Sequence, residues 1–263
     1  MRPIDPTKTA ESGFSWKAAL LTEIEAAARA LADADPEQAI HQTRVRLKRV
    51  RTLARLAGAD TVSRTARALK YTLSGWRDLT ALENAARDTA ATARKKAAAA
   101  LVDIAARLSQ ARITLGRPTV DDLGAALLQL KHDAAALPEL SARDVRKGAR
   151  RIARDARRAW RRAARSRDTD ARHRWRRREK DRLYAATMLA ADWPRKGRRR
   201  LNDTLGDTLG RERDARLLLA RLKSEPAPHS AAAKSARRAL RRAIRKLARK
   251  ADDLGARLHR GGV

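Results

Sequence analysis

The chain has 263 residues, 62 of them Lys or Arg and 30 Asp or Glu, so its formal net charge is +32 with neutral histidines. An excess of this size repels itself in a compact state and points to a polyanionic partner: nucleic acid, polyphosphate or an anionic surface. The absence of cysteine excludes disulfides and Cys-ligated metal centres, and 43% hydrophobic residues, rich in Ala, with only 3% aromatics suit closely packed helices better than sheets.

Gly and Pro are sparse, and the segments between them carry helical periodicity, so the expected fold is all-α. A first helix is expected from Ser15 to Ala32, with Trp16, Leu20, Ile24, Ala27 and Leu31 on one face. Asp35 and Pro36 open a second, from about Glu37 to Ala57, which Gly58 ends. A third should run from about Thr61 to Gly75 and a long Ala-rich helix from about Leu79 to Leu115, where Gly116, Arg117 and Pro118 break the chain into halves of about 15–116 and 117–260. Further helices are expected from Thr119 to Leu137, Ser141 to about Arg167, Asp170 to Ala191, Pro194 to about Leu209, Arg213 to Leu222 and Ala231 to about Leu258. No signal-peptide apolar region or membrane span is visible, so a soluble cytoplasmic protein is expected. His41, His132, His173, His229 and His259 show no ligand pair at helical spacing, and no metal site is expected.

The charge is uneven, +8 over residues 1–132 and +24 over 133–263. A long-period repeat accompanies it. His41-Gln-Thr-Arg44-Val-Arg46-Leu-Lys48 matches His173-Arg-Trp-Arg176-Arg-Arg178-Glu-Lys180 at an offset of 132, and Arg77-Asp78 echoes Arg213-Asp214 at an offset of 136. Two similar four-helix bundles, one per half and facing each other about a pseudo-twofold axis, are the natural architecture.

At about 100° per residue, His41, Arg44, Lys48, Arg51 and Arg55 share one narrow sector of the second helix. Ile40, Thr43, Leu47, Val50, Ala54 and Ala57 flank this stripe on one side and Val45, Thr52 and Leu56 on the other. A solvated charged face normally lies opposite the apolar one. A stripe between two apolar flanks instead points into a wet cleft between helices, where an extended anion can neutralise it. Phosphoryl oxygens suit it, since Arg offers a planar fork, Lys a movable charge and His a neutral or charged donor. The second copy contributes His173, Arg176 and Lys180; there the face continues as Leu183 and Thr187, and Glu179 and Arg182 stand where the first copy is apolar. Arg182 is grouped with these cations. Arg77 and Arg213 fall near helix ends, each beside an Asp that either holds the Arg rotamer or caps a helix. The helix after Ser141 carries Arg146, Arg150, Arg154, Arg157 and Arg161, either as a wall of the cleft or as an exposed basic face. Arg107, Arg112 and Arg257 read as solvated surface.

A helix that begins near a histidine, carries basic residues three, seven, eight and ten positions on, and recurs once with an Arg-Asp pair after each copy resembles the conserved-histidine α-helical domain, the CHAD family, over about residues 15–260. His41, Arg44, Lys48, Arg49 and Arg51 stand at the family's positions, as do His173, Arg176, Lys180 and Tyr184, whereas Asp181 and Leu183 depart from the basic pattern. The resemblance implies a single domain over 1–263, with two pseudo-symmetric bundles around a central basic cavity or pore that binds inorganic polyphosphate, and a place at polyphosphate granules. Glu23 and Glu25 sit in a helical pattern and do not form the strand motif of the triphosphatase-like domain often fused to the family, so a stand-alone binding domain is expected. Nonspecific nucleic-acid binding at low salt is the alternative. No nucleophile–base pair, phosphate-binding Gly loop or paired carboxylate is visible, so neither catalysis nor a cofactor is expected.

Overall fold

A computed structural model of the chain describes residues 14–115, 121–166, 168–193, 199–224 and 230–260. These form the helices α1 (Trp16–Leu31), α2 (Pro36–Ala57), α3 (Asp60–Thr72), α4 (Ser74–Ala90), α5 (Lys95–Leu115), α6 (Asp121–Ala135), α7 (Ala142–Arg165), α8 (Thr169–Leu189), α9 (Arg199–Ser224) and α10 (Ala231–Arg260), with a short 3-10 turn after α8 and no strand among the described residues. The fold is all-α. The expected breaks at Gly116–Pro118, Pro194 and Pro226–Pro228 lie outside the described residues. Among the described residues no helix is long and apolar enough to cross a membrane.

Local chemistry sets several boundaries. Ser15 accepts a hydrogen bond from the Ala18 amide, Asp35 from that of Glu37 with Pro36 in the first turn, Ser141 from that of Asp144, and Asp168 from those of Asp170 and Ala171. Gly58, at φ 79°, closes α2 in the left-handed conformation.

Two boundaries differ from expectation, and tertiary packing explains both. The long helix expected from Leu79 to Leu115 is a hairpin of α4 and α5 that turns at 91–94, although no Gly or Pro stands there. Leu82, Ala85 and Ala86 of α4 pack with Ala97, Leu101, Ile104, Ala105 and Leu108 of α5, so folding the pair back buries both apolar faces together. Conversely, the segments expected to part between Leu209 and Arg213 are one continuous α9. Gly210 costs about 1 kcal/mol inside a helix, whereas each buried Leu contributes roughly 1.5–3 kcal/mol, and Leu205, Leu209, Leu218 and Leu222 are all buried.

The repeat carries through to whole helices. Shifted by 132, α2 covers 168–189, matching α8, and α1 covers 148–163, within α7. Shifted by 136, α4 covers 210–226 and α5 covers 231–251, matching the second half of α9 and most of α10. Helices α3 and α4, parted at Leu73, thus correspond to the single α9. Across the halves α2 packs on α8, α4 on α9 and α5 on α10, so each of these helices meets its own counterpart. The core does not divide as one bundle per half. One apolar cluster joins α1, α2, α3 and α6 with parts of α7 and α8; a second joins α4 and α5 with α9 and α10; a third joins α7, α8, α9 and α10 around Trp160 and Trp175.

The approach of α7 to α2 depends on Gly148. A Cβ there would collide with the Leu56 carbonyl oxygen and lie 3.0 Å from its carbon, with backbone that cannot step aside. Gly148→Ala is therefore expected to lower stability by about 1–3 kcal/mol despite alanine's better helix propensity. Gly124→Ala, where nothing lies within 4 Å, should raise it by roughly 0.5–1 kcal/mol. Urea unfolding of both variants measures the contrast.

Candidate functional site

The apolar flanks of α2 place its basic stripe. Leu47, Val50, Leu53, Ala54 and Leu56 are buried, as are Thr43 and Thr52. Their burial carries Arg44 and Lys48 into the junction where α2 meets α3 and α8. Arg44 is itself buried, and its Nη1 donates to the Lys70 carbonyl at 2.8 Å and to Ser74 Oγ at 3.0 Å. Both acceptors flank the break between α3 and α4, where carbonyls of a helix end are released from helical bonding. Arg176 and Lys180 of α8, Lys70 of α3, Arg77 of α4 and Arg213 of α9 converge on the same junction, where their charges act on Lys48, Lys70 and Arg176.

The result is a cluster that suppresses its own charge. Burial, then repulsion by Arg44, Arg176, Lys180 and Arg77, holds the Lys48 ammonium well below its ordinary range. Burial and the guanidinium groups of Arg44, Arg51, Arg67 and Arg213 bring Lys70 down to about 8, and Arg44 is lowered to about 10, chiefly by burial. Arg176 and Lys180 are lowered too, mainly by burial. His41 is lowered by burial and by Arg77, Lys48 and Arg44; His173 by burial and by Arg177, Arg176 and Arg213. Counter-charge is thin. Lys180 lies 4.0 Å from the exposed Asp207, and Arg213 donates to Asp214 at 2.9 Å and lies 3.6 Å from Asp78, joining the two Arg-Asp pairs across α4 and α9. Arg77 Nη1 and Arg176 Nε are buried with no hydrogen-bond partner among the described residues.

Other residues of the sequence-derived set stand elsewhere. Arg49 turns to α1, where with Arg46 it pairs with Glu23 at 3.1 Å. Arg51 donates to Asp181 at 2.7 Å, and Arg55 is held by Asp181 and by Asp155 at 3.2 Å. Arg182 is buried against Glu179 and Asn202, with His259 on the second Glu179 oxygen. Its position faces the core because the first copy's equivalent, Val50, does so, and the ion pair is what lets a cation stay there. Arg150 and Arg154 are exposed on α7, the basic-face alternative, and Arg157 is half-buried. Arg112 is not plain surface: it lies 3.5 Å from the buried Glu83.

Lys70 and Ser74 are the site residues that the sequence reading passed over. Lys70 ends α3 while Ser74 and Arg77 open α4, so the break at Leu73, which the expected helix through Gly75 did not contain, is what brings Lys70 and Ser74 to Arg44. Trp16, Trp160, Trp175 and Trp193 are buried rather than set among the cations, and no three His, Asp or Glu side chains gather as a metal-binding set among the described residues.

The chain is thus an all-α helical repeat whose two histidine-led helices, α2 and α8, meet at a cationic junction. The chain belongs to the CHAD family, with the CHAD domain model matching residues 18–223. Its fold is similar to the crystal structure of the CHAD domain from the plant Ricinus communis, with a TM-score of 0.59 at 20% identity, covering 92% of this chain and 88% of that one. It is also similar to PptA from Streptomyces chartreusis, with a TM-score of 0.65 at 16% identity, covering 92% of this chain and 98% of that one. No protein of curated function matches the sequence.

An anion placed at this junction would offset the repulsion that, after burial, lowers these groups, so anion binding is expected to take protons up. Between about pH 8 and 10.5 Lys70 supplies the effect, being neutral in the empty cluster and charged in the filled one. In the empty protein the sign is the opposite of a stabilising group. The Lys70 folded value lies below the unfolded one, so its cost to stability is present below about pH 8 and is relieved as pH rises toward 10.5. Calorimetric titration with tripolyphosphate in buffers of different ionisation enthalpy measures the uptake; proton release would contradict it.

Proposed function

We propose that the chain binds inorganic polyphosphate without hydrolysing it, along a basic channel between α2, α3, α4, α8 and α9, and that it associates through this site with polyphosphate granules. The observation that carries the reading is the convergence of Arg44, Lys48, Lys70, Arg77, Arg176 and Lys180 at one junction with few carboxylates to neutralise them. Such crowding opposes folding, and an extended polyanion relieves it. Membership of the CHAD family supports the same ligand. Duplex DNA, in contrast, has the exposed cations of α7 and α10 to meet, where each contact is heavily screened.

The test compares two pairs that lower the net charge equally. Charge-assisted contacts contribute about 1.5–3 kcal/mol each, so Arg44→Ala with Lys48→Ala is expected to weaken long-chain polyphosphate binding by roughly 10²-fold or more. Arg241→Ala with Arg245→Ala, both exposed on α10, should weaken it only a few-fold. Equal losses, with folding intact by circular dichroism, would mean that affinity follows bulk charge. Polyphosphate should also remain bound at a salt concentration that releases DNA.

Chemistry is tested separately. Polyphosphate, ATP or tripolyphosphate incubated with the protein, with or without Mg²⁺, is expected to release no orthophosphate above background, the outcome for a site that binds phosphate without activating water. Turnover that disappears in the Arg44→Ala, Lys48→Ala variant would assign an enzyme instead.

A further inference from the structure

The two copies of the basic helix are not equally basic, and the difference falls at one end of the junction. On α2 the stripe continues past Lys48 to Arg51 and Arg55; at the equivalent positions of α8, 132 residues on, stand Leu183 and Thr187. Asp181, the equivalent of Arg49, reverses the sign at its position. Its side chain is 4% exposed, and its two oxygens are taken by Arg51 at 2.7 Å and by Arg55. Arg178 stands 3.9 Å away. Arg55 is gripped further by Asp155 of α7, while Arg151 donates to the Arg55 and Leu56 carbonyls at 2.6 and 3.3 Å. Three helices are therefore locked together around one buried carboxylate.

We infer that Asp181 is an internal counter-anion that closes the C-terminal end of the α2 cation row, so that a polyanion is held by Arg44, Lys48 and the cations facing them while Arg51 and Arg55 are withheld from it. A phosphate competing for Arg51 or Arg55 must leave a buried carboxylate without its partners, which is among the most unfavourable exchanges inside a protein. Lys180, which acts on Lys48 across the junction, has Asp203, Asp207 and Asp214 near it, and the one within 4.0 Å, Asp207, is 79% exposed, so water solvates it when an anion displaces it. The Lys48 and Lys180 part of the junction thus yields to a ligand and the Asp181 end does not, and the protein grips a shorter stretch of chain than its run of cations suggests.

This inference rests on the polyphosphate reading, and the experiment separates the two. Wild-type protein is titrated with tripolyphosphate and with long-chain polyphosphate while the arginine Nε–Hε signals are followed by NMR. The signals of Arg44, Arg77 and Arg176 are expected to move and those of Arg51 and Arg55 to stay. Asp181→Asn, which releases Arg51 and leaves Arg55 with Asp155 alone, is expected to bind long-chain polyphosphate at least tenfold more tightly and tripolyphosphate less than threefold more tightly; Asp207→Asn, with the same gain in charge, should change either by less than threefold. Movement of Arg51 and Arg55 together with Arg44 overturns the closed end, and that measurement stands even if the Asp181 variant does not fold. So does an Asp181→Asn gain no larger than that of Asp207→Asn. If wild-type protein binds neither ligand, the polyphosphate reading itself fails.

Discussion

Repulsion between cations that the apolar core forces together is the constraint on which the rest of this structure depends. Leu47, Val50, Leu53 and Leu56 on α2 share one buried cluster with Ala185 and Leu189 on α8, while Trp175 of α8 is buried in another. Burying each large apolar side chain contributes roughly 1.5–3 kcal/mol, and together they hold Arg44, Lys48, Arg176 and Lys180 at a separation those groups oppose. The proton affinity of Lys48, Lys70, His41 and His173 is lowered first by burial and then by that repulsion. On the proposed function, the stability lost to crowding is recovered when an anion enters, which is how a binding site differs from a merely basic surface.

The most deeply buried carboxylates are engaged away from Arg44 and Lys48. Glu23 takes Arg46 and Arg49, Asp181 takes Arg51 and Arg55, and Glu179 takes Arg182 and His259. Glu212 takes Arg172 and Arg216, with Asp252 of α10 on the remaining face of Arg172. Buried pairs of this kind add little net stability over an apolar substitute, but losing one partner is costly. Their effect here is to tie α1 to α2, α2 to α7 and α8, and α8 to α9 and α10 in a single register. None of these carboxylates pairs with Arg44, Lys48, Lys70 or Arg176, which face the junction.

The pseudo-symmetry of the fold and the asymmetry of its charges serve different ends. Counterpart helices meeting each other, α2 on α8 and α4 on α9, bring two copies of one motif to a shared centre without a second chain. Similarity of fold to two structures at 20% and 16% identity shows that this arrangement tolerates extensive replacement of side chains. Within it, a change of one position from the cation of the first copy to Asp181 in the second redistributes which arginines remain available. The backbone repeat sets where charges can stand, and single substitutions set which of them are free.

Much of this was legible in the sequence, because helical periodicity and capping are local. The all-α class, the limits of α1 and α2, the stripe between apolar flanks and the offset of 132 all follow from residues within a few turns of one another. Local rules misjudged the turn at 91–94 and the continuity of α9 through Gly210, where burial against distant helices outweighs propensity. They also could not sort the cations. Arg44 and Arg51 lie on the same face of the same helix, yet one is left to the junction and the other is taken by a carboxylate 130 residues along the chain. The sequence alone determined which helices carry charge and on which face; only the tertiary structure decided which charges are neutralised, because an ion pair is chosen by the packing of remote elements and not by spacing along one helix.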